Sequence, residues 1–187
     1  MIGGFFRGVV VVSGLLALTA CWGGSSGATS ATTATVSASA TGSPTATLAP
    51  PVAPEAERSA EGAEAFVRYF WEVHNYAYEN LETKLLTRIS EPKCSFCRAT
   101  DKNISELRTE GTQIQGSRVR MDQIAVPPID IKTGVIVSGT IDQEPAQLTH
   151  ANGSQTTASA ISNAQCFVSL NWTQNSWLVA DVAIEES

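Results

Sequence analysis

The spacing of apolar residues separates the chain after residue 55 into a helical half and a strand-forming half. From Ser59 onward, apolar residues recur at intervals of three and four, which is the period of an amphipathic helix. Ser59 suits the N-cap, and Glu61 and Glu64 follow in the first turn, where the helix dipole favours acidic side chains. The predicted buried face of this helix consists of Ala63, Phe66, Val67, Phe70, Ala77 and Leu81.

Two shorter helices are predicted after the first one. Residues 82–89 form a short helical piece, Pro92 interrupts the chain, and residues 97–110 read as a helix with Gly111 at its C-cap. The first helix also has aromatic residues beside its apolar stripe, so we expect other elements to cover more than one of its sides. These aromatic residues are Tyr69, Trp71, Tyr76 and Tyr78.

The second half of the chain changes to the period of two that strands show. Segments 117–124 and 165–172 alternate, 134–141 is rich in β-branched residues, and 177–184 closes a hairpin around Asn175 and Ser176. The polar segment 150–159 contains Asn152-Gly153 and is predicted to be a turn or a long loop. Helices followed by antiparallel strands predict an α+β fold with about four strands.

The N-terminus has the layout of a secretory signal. Arg7 is the only charged residue before Glu55, and the apolar run 9–18 is shorter than the roughly 20 residues that span a membrane. The run ends in Leu18-Thr19-Ala20-Cys21, which resembles the bacterial lipobox. That resemblance implies a signal peptide over residues 1–20, cleaved before Cys21, and a diacylglycerol on the Cys21 thiol. We therefore expect lipid anchoring at the outer face of the cytoplasmic membrane, with the membrane as a partner through Cys21.

Residues 21–54 are predicted to be a tether between this anchor and a globular domain over residues 55–187. The segment is uncharged and consists largely of Ser, Thr, Ala, Gly and Pro, so it has too little apolar surface to fold. As a flexible coil its ends would lie roughly 30 Å apart. Its Ser and Thr residues could instead accept O-linked sugars, as mucin-like stalks do.

Charge narrows the range of partners. The chain has a formal net charge of −6 and lacks a Lys/Arg-rich stretch. Nucleic-acid binding and electrostatic docking on anionic lipid both need clustered basic residues. The composition therefore argues against nucleic acid and leaves the lipid as the membrane anchor.

Cys94 and Cys97 form the sharpest local motif. In an extracytoplasmic protein, two cysteines at this spacing favour a structural disulfide. The alternative is a thiol–disulfide redox pair, because a helix N-terminus stabilises a thiolate. A zinc site is rejected, since His74 and His150 are isolated and a second cysteine pair is missing from the sequence. Cys166 is left over and shares a strand face with Val168, Leu170 and Trp172, which predicts burial.

The sequence lacks a recognisable catalytic set. Gly-rich phosphate loops, nucleophile-elbow serines and metal-spaced ligands are missing, so we expect neither a cofactor nor a metal. Asp181 alternates with Val179 and is a candidate to face away from the core. The carboxylates are interpreted as surface charges: Glu72, Asp122, Asp130, Asp142 and Asp181.

The order of elements resembles the nuclear-transport-factor-2-like superfamily. More narrowly, residues 59–187 look like a family of uncharacterised actinobacterial lipoproteins, through segments 66–71 and 92–97 and the Asn171-Trp172 to Trp177 hairpin. The resemblance implies a cone in which a curved antiparallel sheet wraps the N-terminal helices and leaves a pocket. Aromatic residues in such a cone either pack the core or line the pocket, where the candidates are Phe66, Tyr69, Phe70, Trp172 and Trp177.

These features predict a non-catalytic domain that binds a small apolar ligand or an envelope protein. The alternative is an extracytoplasmic thiol–disulfide redox protein that uses Cys94 and Cys97.

Overall fold

The computed structural model describes residues 49–128 and 134–185. Within these ranges, three helices precede seven strands, which confirms the α+β fold. The helices are α1 (Ala60–Asn80), α2 (Lys84–Arg88) and α3 (Ser95–Thr109). The strands are β1 (Gln113–Gly116), β2 (Val119–Ala125), β3 (Val135–Gln143), β4 (Ala146–Thr149), β5 (Gln155–Ala158), β6 (Ile161–Thr173) and β7 (Ser176–Glu185).

The helix ends follow the local sequence signals. The Ser59 hydroxyl accepts a hydrogen bond from the Gly62 amide at 3.0 Å, so Ser59 is the N-cap of α1. At the end of α3, Gly111 follows the C-cap residue Glu110 with φ +66°. The Thr112 amide donates to the Leu107 carbonyl at 2.9 Å, which is the six-to-one bond of a Schellman motif. Glycine suits this position because a left-handed backbone has little steric cost without a Cβ.

The main sheet contains four antiparallel strands in the order β2-β3-β6-β7. Its register shifts at Asp122/Ala125, at Ile141/Gln143 and at Ser169/Leu170. Such bulges bend a strand and increase its twist, so the sheet curves around the helices. The outer edge of β7 is covered by the segment before α3, where the Val179 amide donates to the Ile89 carbonyl at 3.0 Å.

The main core lies between α1 and the concave face of this sheet. Phe70 and Val67 of α1 are fully buried, as are Val137, Val168 and Val179 of the strands. Trp177 is 1% exposed and its indole Nε1 donates to the Glu57 carbonyl at 2.8 Å. The chain before α1 is thereby joined to the hairpin of β6 and β7.

A second, three-stranded sheet has the order β1-β4-β5 and was not predicted. The expectation of a turn or long loop over 150–159 is correct only for its first part, because residues 155–158 form β5. All four residues of β5 are exposed, so the strand has no hydrophobic alternation that a sequence could reveal. Backbone pairing with β4 creates it, after a turn in which the Gly153 amide donates to the His150 carbonyl at 2.8 Å.

Candidate functional site

A cavity of about 300 Å³, called here the inner cavity, lies between the helices and the four-stranded sheet. Its helical lining is mostly aromatic, and its sheet lining is mostly aliphatic. The helical residues are Trp71, His74, Tyr78, Phe96, Ala99, Thr100 and Asn103, and the sheet residues are Val119, Ile141, Gln143, Ile161 and Ile184. This lining contains no Asp, Glu, Lys or Arg.

The aromatic rings of the inner cavity form one cluster centred on His74. The His74 ring stacks on Phe96 with centroids 5.7 Å apart and an interplanar angle of 27°. Trp71 meets His74 edge-on at 5.3 Å, and Tyr78 lies 5.0 Å from it. Because the cluster joins α1 to α3, it fixes the two helices that cover the cavity.

His74 is the chemically unusual residue of the site. It is 5% exposed, and its Nδ1 is the only buried side-chain nitrogen or oxygen without a hydrogen-bond partner in the described ranges. Burial lowers the pKa of His74 to about 4, and a side-chain hydrogen bond with Asn75 acts in the opposite direction. The imidazole is therefore neutral near pH 7, with one nitrogen that donates and one that accepts.

Two amide side chains in the lining have protein partners. The Asn103 amide donates to the Tyr78 hydroxyl at 3.3 Å, and the Gln143 amide donates to the Ser117 hydroxyl at 2.8 Å. Burial raises the pKa of Tyr78, although the hydrogen bond from Asn103 acts in the opposite direction. Both groups are thus already engaged, in contrast to His74 Nδ1.

A second cavity of about 510 Å³, called here the outer cavity, shares four lining residues with the inner one: Trp71, Val119, Gln143 and Ile161. Its remaining lining is mostly charged and includes Arg68, Glu72, Arg118, Arg120, Asp142 and Glu144. The three arginines are paired with acids: Arg68 with Glu64 at 2.8 Å, Arg118 with Glu79 at 3.1 Å and Arg120 with Asp122 at 2.7 Å.

Asn75 holds α1 against β2 where the two cavities meet. Its side-chain amide donates to the Val119 carbonyl at 2.9 Å, and its side-chain oxygen accepts from the Val119 amide at 2.8 Å. The Asn75 side chain thus makes the two backbone hydrogen bonds that a neighbouring strand would make at the outer edge of β2. Val119 lines both cavities, so this pair of bonds sets the width of the site.

Residues 35–183 match DUF6318, a family of unknown function. The chain belongs to this family. No curated protein matches the chain in sequence.

Solved structures are similar to this DUF6318 member at low identity. The chain is similar to the intermembrane space region of the chloroplast protein ARC6, with 14% identity and a TM-score of 0.50, over 69% of this chain and 98% of that one. It is also similar to Aln2 from a Streptomyces species, with 14% identity and a TM-score of 0.42, over 66% and 90% of the two chains. A protein from Catenulispora acidiphila has 14% identity and a TM-score of 0.45, over 69% and 94%. At this identity the likeness to ARC6 shows the α+β fold alone.

The five aromatic residues proposed from the sequence as pocket lining occupy the core instead. Phe66, Tyr69, Phe70 and Trp177 are buried, and Trp172 is half-buried with its ring 5.1 Å from that of Trp177. None of the five lines the inner or the outer cavity. Phe66 and Phe70 belong to the apolar stripe of α1, Tyr69 lies beside it, and both tryptophans belong to the β6–β7 hairpin. Four of them are part of one hydrophobic cluster, and Trp172 packs against it.

The residues that do line the inner cavity follow a second stripe on α1. Trp71, His74 and Tyr78 are spaced i, i+3 and i+7, so they share a face of the helix next to the core stripe. The excess of aromatic residues beside the apolar stripe was the sequence signal for this site. Phe96 completes the cluster from α3 and could not be placed without the tertiary structure.

A disulfide joins Cys94 and Cys97 at the start of α3, with their Cα atoms 5.3 Å apart. Cys94 is the N-cap residue, and its sulfur accepts from the Cys97 amide at 3.1 Å. Cys94 is fully buried and Cys97 is 5% exposed, whereas thiol–disulfide exchange requires an accessible sulfur. The bond holds the first turn of α3 and thereby the Phe96 ring.

Asp181 has a structural role that the strand alternation concealed. The register shift between β6 and β7 places Ala180 in a bulge, and the Asp181 carboxylate reaches the N-terminus of α3. It accepts from the Ser95 hydroxyl at 2.9 Å and from the Phe96 amide at 3.3 Å. Partial burial acts to raise the pKa of Asp181, but hydrogen bonds from Ser95, Phe96 and Val182 outweigh it and lower that pKa.

The position of Asp181 also argues against a redox role for Cys94 and Cys97. Its carboxylate oxygen lies 4.0 Å from the Cys94 sulfur. A thiolate at Cys94 would face this negative charge, which offsets the stabilisation expected from the helix N-terminus. The surroundings of the disulfide therefore favour a structural bond over an exchanging one.

Of the two remaining cysteines, the structure describes Cys166 but not Cys21. Cys166 is free and fully buried beside Val168 and Leu170, as predicted, and burial raises the pKa of its thiol to about 12. Cys21 and the segments 1–20 and 21–48 lie outside the described residues.

Within the described ranges, no helix is long and apolar enough to span a membrane, and no three His, Cys, Asp or Glu residues are placed to hold a metal ion.

Proposed function

We propose that this chain is a lipid-anchored, extracytoplasmic protein whose domain binds a small apolar ligand in the inner cavity without chemical conversion. The observation that favours ligand binding is the inner cavity itself. Its volume of about 300 Å³ is at the lower end of the range of ligand pockets, roughly 300–1,000 Å³. Its aromatic and aliphatic lining offers dispersion contacts and apolar burial to a neutral molecule.

The absence of chemical conversion follows from the titratable groups at the site. A general acid or base works best when its pKa lies near the operating pH. Burial holds the pKa of His74 at about 4 and raises that of Tyr78, so neither group is poised near neutrality. The carboxylates nearby belong to the outer cavity, where Asp142 contacts Arg120 at 3.6 Å.

The surface favours a small ligand over an envelope protein as the partner. In the described ranges, the large hydrophobic side chains that are exposed are Val52 and Ile136. They belong to the segment before α1 and to β3, far apart in the sequence and with no other exposed large apolar residue beside them. Stable protein interfaces usually have an apolar centre, which two scattered residues do not supply.

The proposed location depends on Leu18-Thr19-Ala20-Cys21 and the apolar run before it. Two acyl chains on Cys21 would hold the protein at the outer face of the cytoplasmic membrane, since each buried methylene contributes about 0.8 kcal/mol. The uncharged segment 21–54 would then act as the tether. The resemblance to actinobacterial lipoproteins is part of the same proposal.

The binding proposal is tested by filling the inner cavity. The chain from residue 21 onward with Cys21→Ser carries neither the apolar run 9–18 nor the lipid and needs no detergent, so naphthalene can serve as a neutral apolar probe in titration calorimetry. We expect micromolar binding that is abolished by Ala99→Trp, because Ala99 lines the inner cavity. Arg98→Trp is the matched control on the same helix, since Arg98 is exposed like Ala99 but does not line the cavity. Equal loss in both variants, or no binding to the parent, would contradict the proposal.

The anchoring proposal is tested by metabolic labelling with an alkyne fatty acid in a bacterial host. The parent chain should be labelled and should sediment with membranes. The Cys21→Ser chain should lose the lipid label. Lipid label that persists on the Cys21→Ser chain would refute acylation at this residue.

A further inference from the structure

We infer that Phe96 determines which apolar molecules the inner cavity accepts, and that Asp181 is the positioning residue that holds the Phe96 ring. This inference rests on the proposed function, because it concerns the ligand specificity of the same cavity. Three properties of Phe96 support it: the uncovered surface of its ring, its size relative to the other lining residues of α3, and the bonds that fix its backbone.

The ring of Phe96 has apolar surface left for a ligand. Trp71 and His74 also line the inner cavity, but they are 3% and 5% exposed, so the protein itself covers most of their rings. Phe96 of α3, Ile161 of β6 and Ile184 of β7 are half-buried and pack against the main hydrophobic core. An apolar molecule in the inner cavity therefore gains dispersion contacts with these three side chains.

Phe96 is the largest side chain that α3 contributes to the lining. The other three are the smaller Ala99, Thr100 and Asn103. The Phe96 ring therefore sets how much space remains between α3 and the sheet side of the inner cavity. Truncating a side chain leaves a void that the surroundings fill only in part, so loss of this ring should enlarge the cavity.

Buried rings form a firm backing for Phe96. Its ring stacks on His74 with centroids 5.7 Å apart, meets Trp71 edge-on at 5.9 Å and lies 6.3 Å from Phe70. All three of these residues are buried in a close-packed interior, which has little room to rearrange. The ring is therefore a wall of defined position as long as its backbone stays in place.

Bonds to β7 and the disulfide fix that backbone. The Asp181 carboxylate accepts from the Phe96 amide at 3.3 Å and from the Ser95 hydroxyl at 2.9 Å. Cys94 and Cys97 lie on either side of this pair in the sequence and are joined to each other. Asp181 does not line the inner cavity, so it acts on a ligand through the position of the Phe96 ring.

The experiment compares naphthalene with 1-ethylnaphthalene, which is larger by two carbons. Equilibrium dialysis gives both dissociation constants for the chain from residue 21 onward with Cys21→Ser. Phe96→Ala should shift their ratio about tenfold in favour of 1-ethylnaphthalene, because the enlarged cavity buries the two additional carbons. Phe96→Leu should shift the ratio less and in the same direction, and it replaces the alanine variant if that variant does not fold.

The positioning role of Asp181 is tested with the same ratio. Asp181→Ala removes the acceptor for Ser95 and Phe96, and should shift the ratio about threefold in the direction of Phe96→Ala. Asp181→Asn retains an acceptor oxygen and should keep the parent ratio. In the Phe96→Ala background, Asp181→Ala should have no further effect on the ratio, since it acts through the ring. Glu185→Ala is the control at an exposed acid of the same strand.

The ratio separates specificity from stability and from binding itself. A substitution that only destabilises α3 weakens both probes alike and leaves their ratio unchanged. A parent ratio in Phe96→Ala would overturn the role of Phe96. A parent ratio in Asp181→Ala, or an equal shift in Glu185→Ala, would overturn the role of Asp181. If the parent chain binds neither probe, the proposed function itself fails.

Discussion

The inner and outer cavities share Trp71, Val119, Gln143 and Ile161 but differ in almost every other property. The outer cavity is larger and lined by charged residues whose ion pairs lie at the surface, as the 57% exposed side chain of Arg118 illustrates. The inner cavity is smaller, and its lining is mostly apolar and includes the buried His74.

The difference shows why size and charge do not by themselves identify a binding site. Exposed ion pairs are solvated and contribute about 0–1 kcal/mol each, so the ion pairs of the outer cavity add little to stability. The inner cavity has apolar lining that a ligand could cover. Changes to the inner lining should therefore have large effects on stability and binding, and changes to the outer lining should have small ones.

The largest effect is expected from Ile141→Ala. Ile141 is 1% exposed and lines the inner cavity, and its truncation should lower the free energy of unfolding by about 3–4 kcal/mol through lost contacts and an enlarged cavity. The control is Ile136→Ala in the same strand, where the side chain is 56% exposed and the loss should stay below about 0.5 kcal/mol. Urea denaturation measures both, and similar losses would contradict the assigned burial.

His74→Phe should change the acid dependence of stability. The unfolded chain binds a proton on His74 near pH 6.5, while the folded chain resists protonation until about pH 4. Stability due to this residue is thus complete above pH 6.5 and is lost as the pH falls towards 4, by up to about 3 kcal/mol.

The measurement is urea denaturation of the parent chain and of His74→Phe between pH 7.5 and 4. The parent should lose more stability than the variant over this window, since contributions from carboxylates are common to both. His150→Gln is the control and should follow the parent. A parent and a His74→Phe variant with parallel pH profiles would show that His74 is not buried in its neutral form.

Asn75→Ala tests the junction between the cavities. The substitution leaves the amide and the carbonyl of Val119 without partners at the edge of β2, and should cost about 2 kcal/mol. Hydrogen exchange of the Val119 amide should accelerate in parallel. Asn103→Ala removes an exposed amide that donates to Tyr78 and should cost less than about 1 kcal/mol. The junction would be misassigned if Asn103→Ala were the more damaging change.

The smallest effect is expected from Arg118→Ala in the outer cavity. Its ion pair with Glu79 is exposed, so stability should fall by less than about 0.5 kcal/mol, and by less still in 1 M salt. Naphthalene affinity should stay within twofold of the parent value in titration calorimetry. A tenfold change would place the binding site in the outer cavity instead.

The candidate site was only partly predictable from the sequence. The aromatic excess on α1 was visible, and Trp71, His74 and Tyr78 are spaced to share a face. Judged by residue type alone, their apolar neighbours Phe66 and Phe70 could line a pocket equally well. The sheet decides between the two stripes, because it packs tightly against Phe66 and Phe70 and leaves space next to the other three.

Local signals were sufficient wherever a structure depends on a few consecutive residues. The N-cap Ser59, the glycine that ends α3 and the alternation that buries Cys166 could all be inferred, since backbone sterics and side-chain periodicity act over a few residues. Three features required the tertiary structure. Strand β5 exists through pairing with β4, Asp181 reaches α3 through a bulge, and His74 becomes neutral through burial beside Phe96 and Trp71. Each depends on contacts between residues distant in the sequence, and such contacts form only when the chain is folded.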